Sequence, residues 1–519
     1  MSAPLPTPTR RQLLVGGGGP TVPGSPQAPR GPAPRATGSE EARELFLAHH
    51  ATQGFSPQVL DEIRSFPGGS QAWVENQLGL AGTIDDSEVE GLLATPHWED
   101  LFRSAHELFH IYRGPVPYKP LTDLIEVLQA AKILRALRSR RQLHERLVEF
   151  WSDHLHVWIR ADAAVTIFKP VEDREVIRPN ALGRFGDLLE ASAKSAAMLR
   201  YLSGDLNTAA APNENYSREL FELHTLGSAE LFGEEDVLGA AQLFTGWSYI
   251  MDTEDPNLGA FEFRPADHST GSPIQVLGVD YSSGGQADGE QLLADLAGRP
   301  ETAEFLCSKL VLWLLGHPLP PSLQQLVVDE YLDTGGDIAL TVRQILSEPM
   351  LDAAIAAGGA FKRPSRLVDG LLRQLEVDPG PDGSGVHAIL GSLTRMGQLP
   401  HDWPLPSGCP TTREAWGGDL FGRWAFIDEL LHDRLAPQGC SVPHTVIDEL
   451  LTAGTPLDIR DAIEQRLTGA PFEESERAQL LEHLTQLLTQ SPSGPLMPLG
   501  ELLREALAFA ASLPGYQFD

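Results

Sequence analysis

Residues 121–138 read Leu-Thr-Asp-Leu-Ile-Glu-Val-Leu-Gln-Ala-Ala-Lys-Ile-Leu-Arg-Ala-Leu-Arg, and the spacing of their apolar members decides the fold class. Leu121, Leu124, Ile125 and Leu128, then Ile133, Leu134 and Leu137, recur at i, i+3 and i+4. That period is the mark of an amphipathic helix. Stripes of the same kind run through 180–202, 300–315, 320–332, 363–376, 445–468 and 473–489. Strand signals are sparse. The best is Trp247-Ser248-Tyr249-Ile250 with Phe261-Glu262-Phe263, alternating in period two around a turn-rich segment. The expectation is a mainly α protein, a large multi-helix assembly with a small β hairpin near 247–263.

Breakers divide the chain. Residues 1–38 are dominated by Pro, Gly, Ser and Thr, with glycine at every position from Gly16 to Gly19, and read as a disordered leader. A main helical body is expected over 39–377. Asp378-Pro379-Gly380-Pro381-Asp382-Gly383 opens a Pro/Gly-rich connection over 378–412, and a C-terminal helical section, packed on the main body, is expected over 413–519. Within the leader, Thr9-Arg10-Arg11-Gln12-Leu13-Leu14 resembles a degenerate twin-arginine export signal. Leu13-Leu14-Val15 runs straight into glycine, where such a signal needs an apolar stretch of roughly 7–15 residues. Export to the periplasm or exterior and residence in the cytoplasm both stay open on this reading.

Charge and composition exclude several classes. Asp and Glu outnumber Lys and Arg by 71 to 39, a formal charge of −32. Such a field repels nucleic acid, so no nucleic-acid partner is expected. No run of about 18 apolar residues occurs, so no membrane span is expected. The cysteines Cys307, Cys409 and Cys440 form no CxxC pair, which excludes a disulfide scaffold and a cysteine-based structural zinc site.

Chemistry-bearing residues crowd into three strings: Glu149–His156, Asp173–Asn180 continuing to Asn213–Gly227, and Phe263–His268. At about 100° per residue, Asn215, Arg218, Glu219 and Glu222 share one helical face, while His224 lies on the opposite side among apolar groups. Glu219 and Glu222 can act as paired acids with Arg218 holding one ionised, or bind a divalent cation. A solvated face with local ion pairing is the alternative. His154 and His156 diverge on a helix, so only one of them could join His224, His268 and a Glu in a site for iron, zinc or manganese. Arg178, with Arg174 and Arg184, offers forked donors for an anion, or else neutralises neighbouring acids.

The same strings carry a family resemblance. Leu147-Val148-Glu149-Phe150-Trp151-Ser152-Asp153-His154, Arg174 through Phe185, and Asn213 through Gly227 stand in order, followed by Phe244-Thr245-Gly246-Trp247, His268 and Gly408 through Trp416. With them the chain resembles the bacterial family called domain of unknown function 1800, from about residue 45 to the end. The resemblance implies export, and a partner of the sulfatase-like family called domain of unknown function 1501, beside which members are often encoded. It implies no reaction. The chain also departs from the pattern. Asp153 stands where relatives usually carry Asn, Leu202-Ser203-Gly204 replaces Leu-Asp-Asn, Ser269 replaces a common Asp, and a nearby Lys gives way to Ile274-Gln275. These mark a divergent member.

Two functional expectations follow. The first is an extracytoplasmic enzyme with one polar pocket, hydrolytic or oxidative, using Glu219, Glu222, Arg218, Arg178 and Asn215 for acid–base and positioning work. In it His154, His224 and His268 hold a divalent metal or shuttle protons. The second is a non-enzymatic helical scaffold or maturation partner of a sulfatase-like protein, in which the same residues form a buried polar network.

Overall fold

The stretch at 121–138 forms one continuous helix, Leu121–Arg138, whose apolar residues serve two different cores. Leu124 enters the first; Ile125, Leu128, Ala131, Ile133 and Leu134 enter the second. The computed structural model describes residues 38–114, 119–271, 273–282, 284–380, 382–418, 420–489 and 498–519. These belong to one compact unit. The leader with its twin-arginine-like string lies outside the described residues.

The first core gathers the helices Glu40–His50, Gln142–His154, Ala163–Glu172, Phe185–Lys194, Pro300–Leu315, Pro321–Asp333 and Ile338–Ile345. The second gathers Pro364–Gln374, Val386–Arg395, Leu420–Leu431, His444–Leu451, Pro456–Thr468, Glu474–Thr489 and Leu499–Ser512. Every apolar stripe is therefore helical, and two stripes are split by caps. The 180–202 stripe breaks at Ser195, whose hydroxyl accepts from the Met198 N–H at 3.1 Å. The 445–468 stripe breaks at Thr455, which forms a reciprocal capping box with Asp458. The 378–412 stretch is more than a connection: it holds the helix Val386–Arg395, with Val386, Ile389 and Leu393 buried.

The expected hairpin forms, with Trp247–Tyr249 antiparallel to Phe261–Phe263 and Trp247 opposite Phe263. A second hairpin, Ile274–Val276 with Val279–Tyr281, was not legible. Its strands are three residues each, too short for alternation to stand out, and the signal is the turn Leu277-Gly278, both at positive φ. Among the described residues no helix is long and apolar enough to cross a membrane.

Two π-helical turns interrupt regular α winding inside the polar strings. They span Asp173–Ile177 and Leu220–Thr225. Near the second, the Leu226 N–H reaches back five residues to the Phe221 carbonyl at 2.9 Å. Such turns shift every later side chain around the axis relative to an α-helix, and they recur at functional sites.

The N-terminal segment meets the second core's lead helix through a pair of glycines. Gly54 has φ +122°, and a β-carbon there would stand 2.5 Å from the Gly370 Cα. Gly54→Ala is expected to lose about 1–3 kcal/mol from backbone strain alone, before the clash is counted. Thermal denaturation of the variant reads this directly, and an unchanged midpoint would contradict the close approach.

Candidate functional site

On the helix Gln142–His154, Glu145, Glu149 and Asp153 fall at i, i+4 and i+8, so three carboxylates line one face. They look into a cleft of about 640 Å³, its solvent-side mouth included. Lys132 and Arg135 face them from Leu121–Arg138, and Asp173 and Arg178 from the first π turn and the residue after it. Ser365 comes from Pro364–Gln374, and Gln398, His401 and Cys409 come from the loop that follows Val386–Arg395.

Cross-element pairing holds these charges. Arg178 bonds Glu145. Lys132 Nζ lies 3.1 Å from Asp369 and 3.8 Å from Glu149. Arg363 divides its guanidinium, donating to Asp153 and to Glu149 at 3.2 Å each. Its flat face rests 4.1 Å from the Trp313 ring centre, and Arg146 also lies against that ring, at 4.5 Å.

The electrostatics separate the carboxylates. Burial works against ionising Glu149, but Lys132, Arg363, Arg146 and Arg366 outweigh it and hold its pKa down at about 2. Burial likewise opposes ionisation of Glu145, and the Arg178 charge reverses it, so its pKa is lowered. For Asp153 burial wins, helped by the charge of Glu149 and only partly offset by Arg363, and its carboxyl is pushed up.

The loop is pinned to the end of the carboxylate helix. Gly408 has φ +69°, and a β-carbon there would stand 2.1 Å from the Asp153 carbonyl oxygen. That approach brings the Cys409 thiol beside Asp153, where burial and the carboxylate charge push its pKa up. His401 sits at φ 60°, a strained conformation for a residue with a side chain. Burial keeps its ring neutral, its pKa far below the usual histidine range.

Of the residues singled out from sequence, Arg178 lines this cleft. The others stand elsewhere. His154 ends the same helix and turns into an aromatic hollow, stacked on Phe150 and 6.3 Å from the His224 ring. Its Nε2–H donates to the His224 carbonyl at 3.0 Å, and its Nδ1 accepts from Lys309 at 2.8 Å. Both ring nitrogens are thus in use. His156, beyond the helix end, bonds the Trp403 carbonyl at 2.7 Å. His268 bonds the Thr245 carbonyl through Nδ1 at 2.8 Å. Among the described residues no group of three or more His, Cys, Asp or Glu is placed to hold a metal ion. His154, His224 and His268 therefore do not make the expected three-ligand centre.

The 215–225 segment also departs from its helical-wheel reading. Arg218 pairs with Glu214 at 3.1 Å and Glu234 at 2.7 Å rather than with Glu219 or Glu222. Asn215 donates to the Leu202 carbonyl at 3.1 Å. Glu219 is buried near Tyr201, whose hydroxyl is pushed up to about 12 by burial and by that carboxylate. Glu222 is half-buried in the π turn, whose wider winding carries it off the wheel position expected of it. Arg174 and Arg184 bond separate carbonyls, of Leu101 and Thr334, so the three arginines do not converge.

Residues 46–518 match the family described as protein of unknown function (DUF1800). The chain belongs to this family. No curated protein and no solved structure matches it. The matched span contains every wall of the cleft. Sequence reading missed Lys132, Arg135, Glu145 and His401, and it named Asp173 and Cys409 without placing them in a site. The available signal was the four-residue spacing of Glu145, Glu149 and Asp153.

Glu149 gives this network a pH signature. Its folded pKa lies below its ordinary value of 4.5, so its stabilising share is full above that value and is lost as pH falls toward about 2. Glu149→Gln is expected to melt lower than the parent at neutral pH, with the difference shrinking across that acid window. Melting curves of both proteins over the window test it. A constant difference would contradict the assignment.

Proposed function

We propose that the cleft is the active site of an enzyme that moves a proton at a bound small molecule, with Asp153 giving or taking that proton. The observation that carries this reading is the sharing of one guanidinium, Arg363, by Glu149 and Asp153 on the cleft wall. Two carboxylates one helical turn apart are thereby held together in unlike environments. Glu149 lies among cations and stays ionised, while Asp153 sits nearer the neutral form. Such a split is how paired acids divide labour between a fixed charge and a proton carrier. Hydrolysis is the simplest reaction it supports. The metal-assisted version loses support, because His154 and His268 bond other partners and, among the described residues, no group of three metal-ligating side chains comes together.

Asp153 occupies a position where relatives usually carry Asn, so proton transfer here is a property of this divergent chain. It also supplies a gentle test. Asp153→Asn keeps the shape and the Arg363 contact but cannot carry the proton. Purified full-length protein would be assayed on chromogenic carboxyl, phosphate and sulfate esters. Turnover of at least one class is expected, falling by about 10²–10⁴-fold in the variant while its circular dichroism is unchanged. No turnover by the parent, or equal turnover by the variant, would sink this reading.

A second reading has its own support. Arg218, Asn215 and His154 are each satisfied by neighbours, as a packing network would require. A helical scaffold or maturation partner for a sulfatase-like protein fits those residues. Export through the Thr9–Leu14 string fits either reading.

A further inference from the structure

Arg135 stands out among the cations of the cleft. Lys132 is tied to Asp369, Arg178 to Glu145, and Arg363 to Glu149 and Asp153. The guanidinium of Arg135 makes no hydrogen bond or ion pair among the described residues. It lies one turn beyond Lys132 on Leu121–Arg138 and lines the same cleft. A half-buried guanidinium without hydrogen-bonded partners carries a desolvation penalty that the charges of Glu145, Asp173 and Asp86 offset only in part.

Three other groups on the same wall share that condition. Gln53 is 1% exposed and its Oε1 has no partner; Ser152 is 5% exposed and its Oγ has none; the Nδ1 of His401 is likewise unpartnered. Buried polar atoms are normally satisfied, so three orphaned buried atoms beside an unpaired guanidinium point to a ligand with matching polarity.

The geometry points to Arg135 as the receptor for the carboxylate of a small organic acid, whose own O–H or N–H donor is accepted by Gln53. A forked guanidinium matches a planar carboxylate with two parallel hydrogen bonds. The surrounding charge decides between anions. Glu145 and Asp173 act on Arg135 electrostatically without bonding it, and Glu149 and Asp153 line the same cleft. A doubly charged phosphate or sulfate would face the carboxylates of Glu145, Glu149 and Asp173 with one unpaired cation; a single carboxylate matches that cation one to one. A carbonyl-type acceptor at Gln53 then selects acids bearing a hydroxyl or amino group over plain fatty acids.

This inference rests on the cleft being the active site, but it is measured as binding, so each can fail alone. Full-length protein would be titrated calorimetrically with glycolate, lactate and alanine, and with acetate, phosphate and sulfate as comparators. The first group should bind more tightly than acetate, and phosphate and sulfate least. Arg135→Gln should weaken lactate at least tenfold, and Arg135→Lys, which keeps the charge but not the fork, should fall between. Gln53→Leu should erase the preference for glycolate over acetate. Because Arg135 bonds no other described group, its variants are expected to melt like the parent. The proposal is overturned if no carboxylate binds the parent below about 10 mM, if phosphate or sulfate binds as tightly, or if Arg135→Gln binds lactate unchanged. Binding without turnover would count against the proposed activity alone.

Discussion

The arrangement depends on a seam of paired charge between two apolar cores. Lys132 comes from one helix, Glu149 and Asp153 from a second, and Arg363 and Asp369 from the start and middle of a third segment. None of these side chains is freely solvated, and removing one partner of such a pair costs about 3–5 kcal/mol because the other is left uncompensated. The charges can be neutralised together only when the three segments dock in one register. Apolar packing is tolerant of small slips; this network is not. Trp313, with two guanidinium groups against its ring, extends the seam into the first core.

The same constraint explains why the cleft lies where it does. Charged groups that hold helices together cannot be covered completely, and the loop carrying His401 and Cys409 closes over them only by adopting two left-handed backbone positions. Gly408 needs its positive φ to lie against the Asp153 carbonyl, and His401 adopts one despite its side chain. A local rule is broken at His401, in the wall of the charged cleft, and functional sites are where such strain usually persists. Arg135 completes the pattern as a charge that contributes nothing to the seam one turn away.

The helices were legible because burial imposes its period on a segment whatever its partner is. The 121–138 stripe would read the same against any apolar neighbour. Partnering has no such local trace. Lys132 and Asp369 stand 237 residues apart, and nothing in either neighbourhood names the other. The wheel drawn for 215–225 failed for a different reason: it assumed α winding through Leu220, where the backbone changes to π. Arg178 was found because its string is dense in charge, but Glu145, its partner, lies outside the string that was read.

One short motif serves two environments, and this limits how the family resemblance can be used. On Leu147–His154, Glu149 and Asp153 face the charged cleft, while His154 faces a hollow with Lys309 and His224. Burial lowers the Lys309 ammonium to about 8, and the charge of Asp153 is the effect that opposes the shift. The two sides are therefore linked through the helix end: neutralising Asp153 removes a charge that helps keep Lys309 protonated against the His154 ring. An Asn in this position would lack that coupling as well as the proton carrier. Resemblance over the motif thus places the chain in its family, while the protonation chemistry has to be argued from Asp153 itself.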